Sequence, residues 1–356
     1  MKKICHMTSA HPWNDIRIFV KECQSLVSAG NEVYLVCEGI NREENGVHIV
    51  GCGEKPASRR ERMRGFARKV YERAVALDCD IYHLHDPELL PCGVKLKKLG
   101  KKVIFDSHED IPGQILDKGW LPFPVRKLVS MAYKLYETNC VKQFDAVVTA
   151  TPHIAELFIG RCNKVVAVNN YPKFDDIEFH DTPFDQRDSI VCYAGRISEI
   201  RGVNIMLEAM EGIDATLILA GPGDTVSNKG ESIKYLGCID HSEVNKLYGD
   251  AVVGLCILKP TPNYYYSKPI KMYEYMMAGL PFICSDFPAW KDLVQKSGAG
   301  VCVNAENVQE VRKGILELLN NRKMAQEMGQ KGREWVVKNC NWDTEKKTLI
   351  SLYEAM

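Results

Sequence analysis

The sequence predicts an α/β protein with two Rossmann-like, doubly wound domains. Short apolar, β-branched runs alternate with segments of helical period from the first residues onward, and this alternation is typical of a parallel sheet covered by helices. The alternation stops near residue 170, where the polar stretch NNYPKFDDIEFHDTPFDQ has no clear period, and it restarts at SIVCYAG. A length of 356 residues suits two domains of ordinary size.

The predicted strands divide into two sets. The first set is KKICHMTS, NEVYLVC, DIYHLH, KKVIFDSH, FDAVVTA and KVVAVNN, and the second is SIVCYAG, TLILAG, IKYLG, AVVGLCIL, PFICSD and GVCVN. We therefore expect a first domain over 1–170, a linker over 171–188, a second domain over 189–340, and a final helix over 341–356 that packs toward the first domain. Two such domains imply a cleft at the carboxyl ends of both sheets.

Composition and charge narrow the class of protein. The chain is 46% hydrophobic and 26% charged, as in ordinary globular proteins, and no apolar run approaches the ~18 residues that cross a bilayer. Strand-like sequence follows Met1 directly, so no signal peptide is expected. The 14 cysteines form no Cys-x-x-Cys pair, and we interpret them as small buried hydrophobes in a reducing compartment. These features predict a cytoplasmic protein.

Charge is unevenly distributed along the chain. Residues 1–170 carry a net charge of +5 and residues 171–356 a net charge of −5. The basic excess lies in Arg59–Arg73 and in Lys118–Lys134, and the second segment mixes Arg126 and Lys127 with aromatic residues. Such a mixture can bind an anionic membrane surface. The alternative is a solvated helix face.

The segment YAGRISEIRGV, residues 193–203, predicts an anion site. A strand ends in Gly195, a short loop carries Arg196 and Arg201, and Gly202 begins the next helix. A helix N-terminus with free amides beside two guanidinium groups is the kind of site that binds phosphate. A diphosphate fits this chemistry, and the alternative is a pair of arginines on a surface loop.

A second glycine turn, LAGPGD, follows the next predicted strand. Gly221 and Gly223 would permit a ligand to approach the backbone closely. The spacing is neither the G-x-G-x-x-G fingerprint nor a P-loop, which argues against NAD binding and ATP hydrolysis.

The third segment is SKPIKMYEYMMAGLP, residues 267–281. Pro269 suits the first turn of a helix, and Glu274 is charged in an otherwise apolar helix. We interpret Glu274 as a carboxylate that accepts two ribose hydroxyls. The alternative is an i,i+3 ion pair between Lys271 and Glu274.

Taken together, these segments resemble the retaining glycosyltransferase family 4, which has the GT-B fold. YAGRISEIRG, LILAGPGD, LGCIDHSEV and KPIKMYEYMMAGLPFICSD stand in the family's order and spacing. The first half resembles a bacterial subgroup linked to surface-polysaccharide assembly, through HPWNDIRIFVKECQSLVSAGNEV, HLHDPELLP and VIFDSHEDIPGQIL. The resemblance covers nearly the full length and implies that a nucleotide sugar binds the second domain.

The resemblance also implies roles for particular residues. Arg196 matches the arginine that binds the donor phosphates, and Arg201 stands where the family usually has a lysine. Glu274 matches the second, ribose-binding glutamate of a Glu-x7-Glu motif, whereas Tyr266 replaces the first glutamate. The donor site is thus expected to comprise Gly195, Arg196, Arg201, Gly221, Gly223, Ser267, Lys268, Pro269, Ile270, Lys271 and Glu274.

In the first domain, His108 resembles the family histidine that touches the donor sugar. With Arg196 and Arg201 it completes the expected catalytic set. The acceptor is expected near His11, Asp15, Arg17, His85 and Glu109. For Asp15 and Arg17 the alternative is a helix cap with its ion pair.

We expect neither a metal nor a bound cofactor. His83, His85 and Asp86 end one predicted strand at a spacing that could suggest a metal site. Enzymes of the GT-B fold, however, stabilise the leaving phosphate with arginine and a helix dipole rather than a cation. The nucleotide sugar is a co-substrate, and no nucleic-acid partner is expected.

The sequence therefore predicts a retaining glycosyltransferase. It would move a hexose or N-acetylhexosamine from a nucleoside diphosphate, UDP rather than GDP, to a glycan or a polyprenyl-diphosphate-linked sugar in polysaccharide biosynthesis. We expect peripheral attachment at the inner face of the cell membrane. The alternatives are a UDP-sugar 2-epimerase of the same fold, a two-lobed ligand-binding protein, and a non-catalytic GT-B subunit suggested by Tyr266.

Overall fold

The computed structural model describes residues 1–118, 120, 122–173, 183–223, 232–265 and 267–356, without the side chains of 262 and 263. The chain forms two compact units, one of Met1–Asn170 with Trp342–Met356 and one of Tyr171–Asn341. Each unit has its own sheet, wholly parallel in the second unit and parallel except for one edge strand in the first, and its own hydrophobic cores. The α/β prediction is thereby confirmed.

The first unit is built on an eight-stranded sheet of order β3-β4-β2-β1-β5-β6-β7-β8. Its strands are β1 Lys3–Met7, β2 Glu32–Cys37, β3 Arg42–Glu44, β4 Val47–Gly51, β5 Ile81–Leu84, β6 Lys102–Ser107, β7 Ala146–Thr149 and β8 Val165–Ala167. Strand β3 pairs antiparallel with β4, and the other neighbours are parallel. The middle strands are buried on both faces, which explains their continuous apolar sequences.

Helices cover the strands of this sheet. They are α1 Gln24–Ser28, α2 Arg59–Glu61, α3 Ala67–Val75, α4 Leu90–Lys98, α5 Ile111–Leu116, α6 Phe123–Val141, α7 Pro152–Phe158 and α15 Trp342–Glu354. Two stretches, Ile16–Cys23 and Arg62–Phe66, are π-helical, and Pro87–Leu89 is a 3₁₀ turn. The C-terminal helix α15 packs in this unit, where Trp342, Leu349 and Tyr353 join the core.

The second unit is built on a six-stranded parallel sheet of order β11-β10-β9-β12-β13-β14. Its strands are β9 Ile190–Ala194, β10 Thr216–Ala220, β11 Ile233–Tyr235, β12 Val253–Cys256, β13 Phe282–Ser285 and β14 Gly300–Val303. Its α-helices are α8 Val203–Met210, α9 His241–Asp250, α10 Pro262–Tyr265, α11 Ile270–Met277, α12 Pro288–Ser297, α13 Val308–Asn320 and α14 Arg322–Asn339. Phe184–Gln186 and Glu199–Arg201 form 3₁₀ turns.

The order of this second sheet reverses between β9 and β12. Strands β10 and β11 follow on one side of β9, and β12 to β14 follow on the other. In open α/β sheets the carboxyl ends of the strands at such a reversal are where ligands bind. The residues that follow β9 therefore occupy the expected ligand position of this unit.

The predicted linker over 171–188 lies partly outside the described residues. Along the chain, the boundary between the two units falls between Asn170 and Tyr171. Farther along, Phe184 is buried in a core of the second unit. The last part of this segment thus packs as part of the second unit.

Two further predictions concern the cysteines, which are expected to be buried and unpaired, and the lack of a segment that crosses a bilayer. All 14 cysteines are free, and 11 of them are buried. Within the described ranges, no helix combines the length and the hydropathy that a bilayer crossing requires.

Candidate active site

The end of β9 carries the first predicted motif. Tyr193 is buried, and its hydroxyl donates a hydrogen bond of 2.9 Å to the carbonyl oxygen of Arg196. Tyr193 thereby fixes the loop that follows the strand. Gly195 has φ of +147°, and a Cβ on this residue would lie 2.8 Å from Lys271 Nζ. The glycine leaves room for the ammonium group of Lys271.

Lys271 is a buried cation. Its Nζ lies 3.6 Å from the centroid of the Tyr193 ring. Within the described part of the chain, this nitrogen has no hydrogen-bond partner. Burial lowers the pKa of Lys271 to about 8, and the positive charge of Arg201 acts in the same direction. Desolvating a charge costs several kcal/mol unless an opposite charge meets it, so this position favours an anionic ligand.

The two predicted arginines lie in the segment between β9 and α8. Arg196 is exposed, and Arg201 is half-buried in the 3₁₀ turn before α8. Gly202 has φ of +73° and precedes the first residue of α8. A Cβ on Gly202 would lie 2.2 Å from the carbonyl oxygen of Ile257. The end of β9 thus combines the ammonium group of Lys271, the nearby positive charge of Arg201 and the N-terminus of α8, and Arg196 lies in the same loop. Such an arrangement suits phosphate.

Gly221 and Gly223 have a structural explanation. A Cβ at Gly221 would lie 2.1 Å from the carbonyl oxygen of Gly195, and a Cβ at Gly223 would lie 2.0 Å from that of Ile197. The amide of Ile197 also donates to the carbonyl oxygen of Pro222 at 2.8 Å. These glycines let the two loops pack backbone against backbone, which positions the loop of Arg196. Asp224, at the end of this motif, lies outside the described residues.

Helix α11 presents the third motif. Pro269 precedes its first residue, Ile270, which is partly exposed. The indole nitrogen of Trp290 donates to the carbonyl oxygen of Ser267 at 2.8 Å, and Lys268 Nζ lies 5.8 Å from the centroid of the Tyr171 ring. The segment before the helix is therefore held from two sides. Tyr266, which replaces the family's first glutamate, lies outside the described residues.

Glu274 is half-buried on the same helix. Its Oε2 accepts a hydrogen bond of 3.2 Å from the Tyr248 hydroxyl. Among the described residues no ion pair joins Glu274 to Lys271, whose Nζ is unpartnered. The alternative, an i,i+3 ion pair between Lys271 and Glu274, is therefore absent from the part of the chain that the structure describes. Glu274 retains acceptor capacity for a ligand, because a carboxylate offers four lone-pair sites.

In the first unit, His108 follows β6 and is held by a carboxylate. Its Nε2 lies 3.1 Å from Asp106 Oδ2. Arg17 donates two hydrogen bonds to the same carboxylate, from Nε to Oδ2 at 2.9 Å and from Nη2 to Oδ1 at 3.0 Å. Although burial opposes its ionisation, Arg17 and then His108 hold the pKa of Asp106 well below its usual range. Asp106 thus fixes the orientation of His108.

The residues expected near the acceptor divide into two groups. Asp15 caps the helical stretch Ile16–Cys23, accepting from the amides of Arg17 and Ile18 at 2.9 Å each, and it also lies 2.9 Å from His11 Nδ1. Despite its burial, these bonds lower the pKa of Asp15 to about 2. The helix-cap alternative thus describes Asp15, but Arg17 forms its ion pairs with Asp106 and Glu22.

The other predicted acceptor residues differ in exposure. Glu109 is exposed and accepts from the side-chain amide of Gln114. His85 is buried, with its Nε2 2.8 Å from His6 Nδ1. Arg17 is buried too, so neither Arg17 nor His85 presents its side chain to solvent.

Sequence reasoning missed three residues around these groups. Tyr193, which lies under Lys271, reads as an ordinary strand residue. Glu22 reads as part of a solvated helix face but is buried, and His6 lies inside the apolar strand β1. The one available signal was His6, because a polar residue within an otherwise apolar strand is the informative exception.

Comparison with known proteins agrees with this description of the two units. Residues 17–170 match the family model described as Glycosyltransferase Family 4, and residues 174–335 match the model described as Glycosyl transferases group 1. The chain is 25% identical over 188 residues to spore coat protein SA of Bacillus subtilis, covering 46% of this chain and 48% of that protein. It is 25% identical over 175 residues to the GDP-mannose-dependent alpha-(1-6)-phosphatidylinositol monomannoside mannosyltransferase of Mycobacterium tuberculosis, covering 45% of each chain. The matched region thus spans about half the length of these relatives.

Solved structures resemble the whole chain. Sucrose-phosphate synthase from Thermosynechococcus elongatus superposes with a TM-score of 0.78 at 17% identity, covering 100% of this chain and 99% of that one. Anabaena HepE, crystallised in complex with UDP and glucose, superposes with a TM-score of 0.75 at 11% identity, covering 100% of both chains. The chain therefore consists of two glycosyltransferase domains and has the fold of the GT-B glycosyltransferases.

Proposed function

We propose that this protein is a retaining glycosyltransferase whose donor diphosphate binds at the carboxyl end of β9. The observation that carries the proposal is the buried, unpartnered ammonium group of Lys271 beside Gly195. A diphosphate would supply the missing negative charge. The neighbouring Arg201 and the N-terminus of α8 would share in binding it.

In the proposed reaction, the positive charge of this site acts when the diphosphate leaves the sugar. The acceptor hydroxyl attacks the anomeric carbon on the face from which the nucleotide leaves. The bond between that carbon and the diphosphate oxygen breaks, and the acceptor proton passes to the released phosphate oxygen. Arg196, Arg201 and Lys271 would stabilise the charge that develops on the leaving diphosphate. His108, fixed by Asp106, is assigned to the donor sugar by the family resemblance.

We infer that the donor is a UDP-sugar carrying a hexose or N-acetylhexosamine. HepE, which shares the fold, was crystallised with UDP-glucose. The mannosyltransferase relative instead uses GDP-mannose. Glu274 would bind the ribose that both nucleotides share, so the base must be distinguished by direct titration.

The proposed acceptor is a glycan or a lipid-linked sugar, reached from an anionic membrane surface. Helix α6 exposes Leu128, Met131 and Leu135 on one face, with exposed fractions of 63%, 56% and 61%. These positions are spaced i, i+3 and i+7, and Lys127 and Lys134 are exposed beside them. Exposed apolar patches rimmed by charge are typical of interaction surfaces. A basic, amphipathic helix of this kind suits anionic lipid.

We propose that transfer requires no divalent cation, since Lys271 and the arginines would neutralise the diphosphate. Loss of activity in EDTA and its recovery with Mn²⁺ would contradict this. The deciding activity experiment supplies UDP- and GDP-sugars with polyprenyl-diphosphate-linked sugar acceptors. Transfer to the acceptor with retained anomeric configuration supports the proposal. Conversion of the UDP-sugar to its 2-epimer without acceptor would instead identify the epimerase alternative.

A further inference from the structure

A cluster of three histidines and one glutamate lies in the interior of the first unit. His6 on β1 and His83 on β5 are register partners in the sheet, so their side chains lie on the same face. His85 follows β5, and Glu22 comes from the π-helical stretch Ile16–Cys23. The side chains of His6, Glu22 and His83 are fully buried, and His85 is 3% exposed.

The distances in this cluster suit a tetrahedral metal ion. His6 Nδ1 lies 2.8 Å from His85 Nε2. Glu22 Oε2 lies 3.9 Å from each of three nitrogens, His6 Nδ1, His83 Nδ1 and His85 Nε2. One ligand atom from each residue lies within 4.8 Å of all the others. Zinc bonds of ~2.0–2.1 Å require ligand atoms about 3.3 Å apart in a tetrahedron, a value between the observed separations.

Four buried polar atoms of the cluster have no hydrogen-bond partner among the described residues. Within the described residues, neither carboxylate oxygen of Glu22 has a hydrogen bond, and the same holds for His83 Nε2 and His85 Nδ1. An unsatisfied polar group that is buried costs about 1–3 kcal/mol. Two of these atoms have a charged neighbour, since Arg17 Nε lies 3.1 Å from Glu22 Oε1 and Asp106 Oδ2 lies 3.4 Å from His85 Nδ1. Glu22 Oε2 instead faces the three histidine nitrogens, and a cation placed between these atoms would give it a partner.

The charges around the cluster favour a cation. Among the described residues, Arg17 is the guanidinium group that contacts the cluster, with its Nε 3.1 Å from Glu22 Oε1 and 2.9 Å from Asp106 Oδ2. One guanidinium group therefore contacts two buried carboxyl groups, and burial raises the pKa of Glu22 well above its usual range. A divalent cation at the histidines would favour the ionised form of Glu22, which is the form that binds a metal.

We propose that His6, Glu22, His83 and His85 bind a structural zinc ion. Three imidazoles and one carboxylate are ligands that zinc accepts, and four protein ligands leave no open position for catalysis. The ion would join β1, β5 and the first helix of the unit. His83 Nδ1 would give up its 2.6 Å hydrogen bond to Tyr353, whose hydroxyl also lies 3.3 Å from His6 Nε2. That hydroxyl on α15 would then orient the His6 ring.

Two neighbouring groups do not fit a metal as well. His85, Asp106 and His108 also converge, but Arg17 donates hydrogen bonds to both oxygens of Asp106. In the proposed site Arg17 lies against Oε1 of Glu22, and Oε2 is the oxygen that faces the histidines. Asp86, which the sequence places beside His83 and His85, accepts instead from Thr8 Oγ1 at 2.8 Å and from the Ser9 amide at 2.6 Å.

The test is the metal content of the purified full chain. The protein is expressed in zinc-supplemented medium, dialysed against EDTA while folded, and analysed for Mn, Fe, Co, Ni, Cu and Zn. We expect one zinc per chain that resists EDTA in the folded protein and is released on denaturation. Glu22→Gln and His83→Gln should lose most of this zinc, whereas His48→Gln, at a partly exposed histidine of the same unit, should keep it.

A second measurement covers variants that fail to fold. The wild-type chain is denatured, stripped of metal and refolded with Co²⁺, whose visible absorption is strong only in tetrahedral sites. A tetrahedral spectrum that zinc abolishes supports the proposal. Wild-type protein with neither zinc nor this spectrum would overturn it. Zinc that EDTA removes from the folded chain without lowering its melting temperature, or another metal in equal amount, would overturn it as well.

Discussion

The Nζ of Lys271 lies 3.6 Å from the centroid of the Tyr193 ring, with no carboxylate paired to it among the described residues. A ring face attracts a cation, but the interaction is worth only about 2 kcal/mol or somewhat more when desolvated. It does not replace a counter-charge for a buried ammonium group. The pair therefore leaves a buried positive charge that an anionic ligand would neutralise.

Donor binding should weaken as pH rises through about 8. Burial lowers the pKa of Lys271 to about 8, so the free protein loses this charge above that pH. A bound diphosphate favours the charged form, so affinity should fall by up to about tenfold per pH unit above pH 8. Calorimetric titration of UDP between pH 7 and 9 measures this.

The control for this titration is Lys271→Met, which should show no such decline over the same range. Any ionisation of the uracil base affects both proteins equally and cancels in the comparison. The sign for stability is opposite to that for binding. Between pH 8 and the ordinary pKa of lysine, Lys271 stays protonated in the unfolded chain but has lost its proton in the folded chain. The free energy of unfolding of the donor-free protein should therefore increase as pH rises through this range. Equal pH dependence in both proteins would show that Lys271 does not contact the donor.

Glu274→Gln should weaken the donor without destabilising the protein. The amide offers one acceptor and one donor where the carboxylate offers two acceptors to ribose hydroxyls. Charge-assisted hydrogen bonds contribute about 1.5–3 kcal/mol, which corresponds to roughly tenfold or more in affinity. Glu208→Gln, at an exposed carboxylate on α8, is the matched control. A Glu274→Gln protein that melts early but binds UDP normally would make Glu274 structural.

Arg17→Met should destabilise the first unit strongly. It removes the partner of the buried carboxylate of Asp106, and breaking such a pair costs about 3–5 kcal/mol. Arg68→Met removes an exposed i,i+4 pair with Glu72, for which we expect no more than about 1 kcal/mol. Urea unfolding of both variants measures the difference. A similar loss in the two would mean that Arg17 is not the anchor of Asp106.

Leu128→Ser should reduce flotation with anionic vesicles. The side chain is 63% exposed on α6 and would enter the lipid interface. Ile159→Ser, at a residue 71% exposed elsewhere in the same unit, should leave flotation unchanged. Binding should also weaken in 1 M salt, where the Debye length is about 3 Å. Equal binding to neutral and anionic vesicles, or no binding to either, would remove the membrane proposal.

The fold was largely predictable because the interior strands of both sheets are parallel and buried. Continuous apolar runs such as SIVCYAG and PFICSD give β9 and β13 directly. The edge of the first sheet was missed, because β3 consists of the polar residues Arg42–Glu44 and pairs antiparallel with β4. Edge strands lack the apolar signal that interior strands carry.

The candidate site was predictable only in part. Arg196, Arg201 and the glycines stand in recognisable motifs, so their location could be inferred from spacing. The surroundings of Lys271 could not, because Tyr193 contacts it across 78 positions of sequence through the packing of α11 against the sheet. The buried charges were missed for a related reason. Arg17 and Glu22 lie in a π-helical stretch, where the helical period that separates buried from exposed faces no longer applies.

The most direct test of the donor site is to titrate UDP and GDP into wild type, Arg196→Ala and Lys271→Met, and to melt each protein without ligand. Lys246→Met, at an exposed lysine on α9, is the control. The account predicts that both site variants bind UDP about tenfold more weakly or worse. It also predicts that Lys271→Met melts no lower than wild type, because the change removes an uncompensated buried charge. Wild-type affinity for UDP and GDP in both variants, or a Lys271→Met protein that melts early and binds normally, would contradict the assignment of this site.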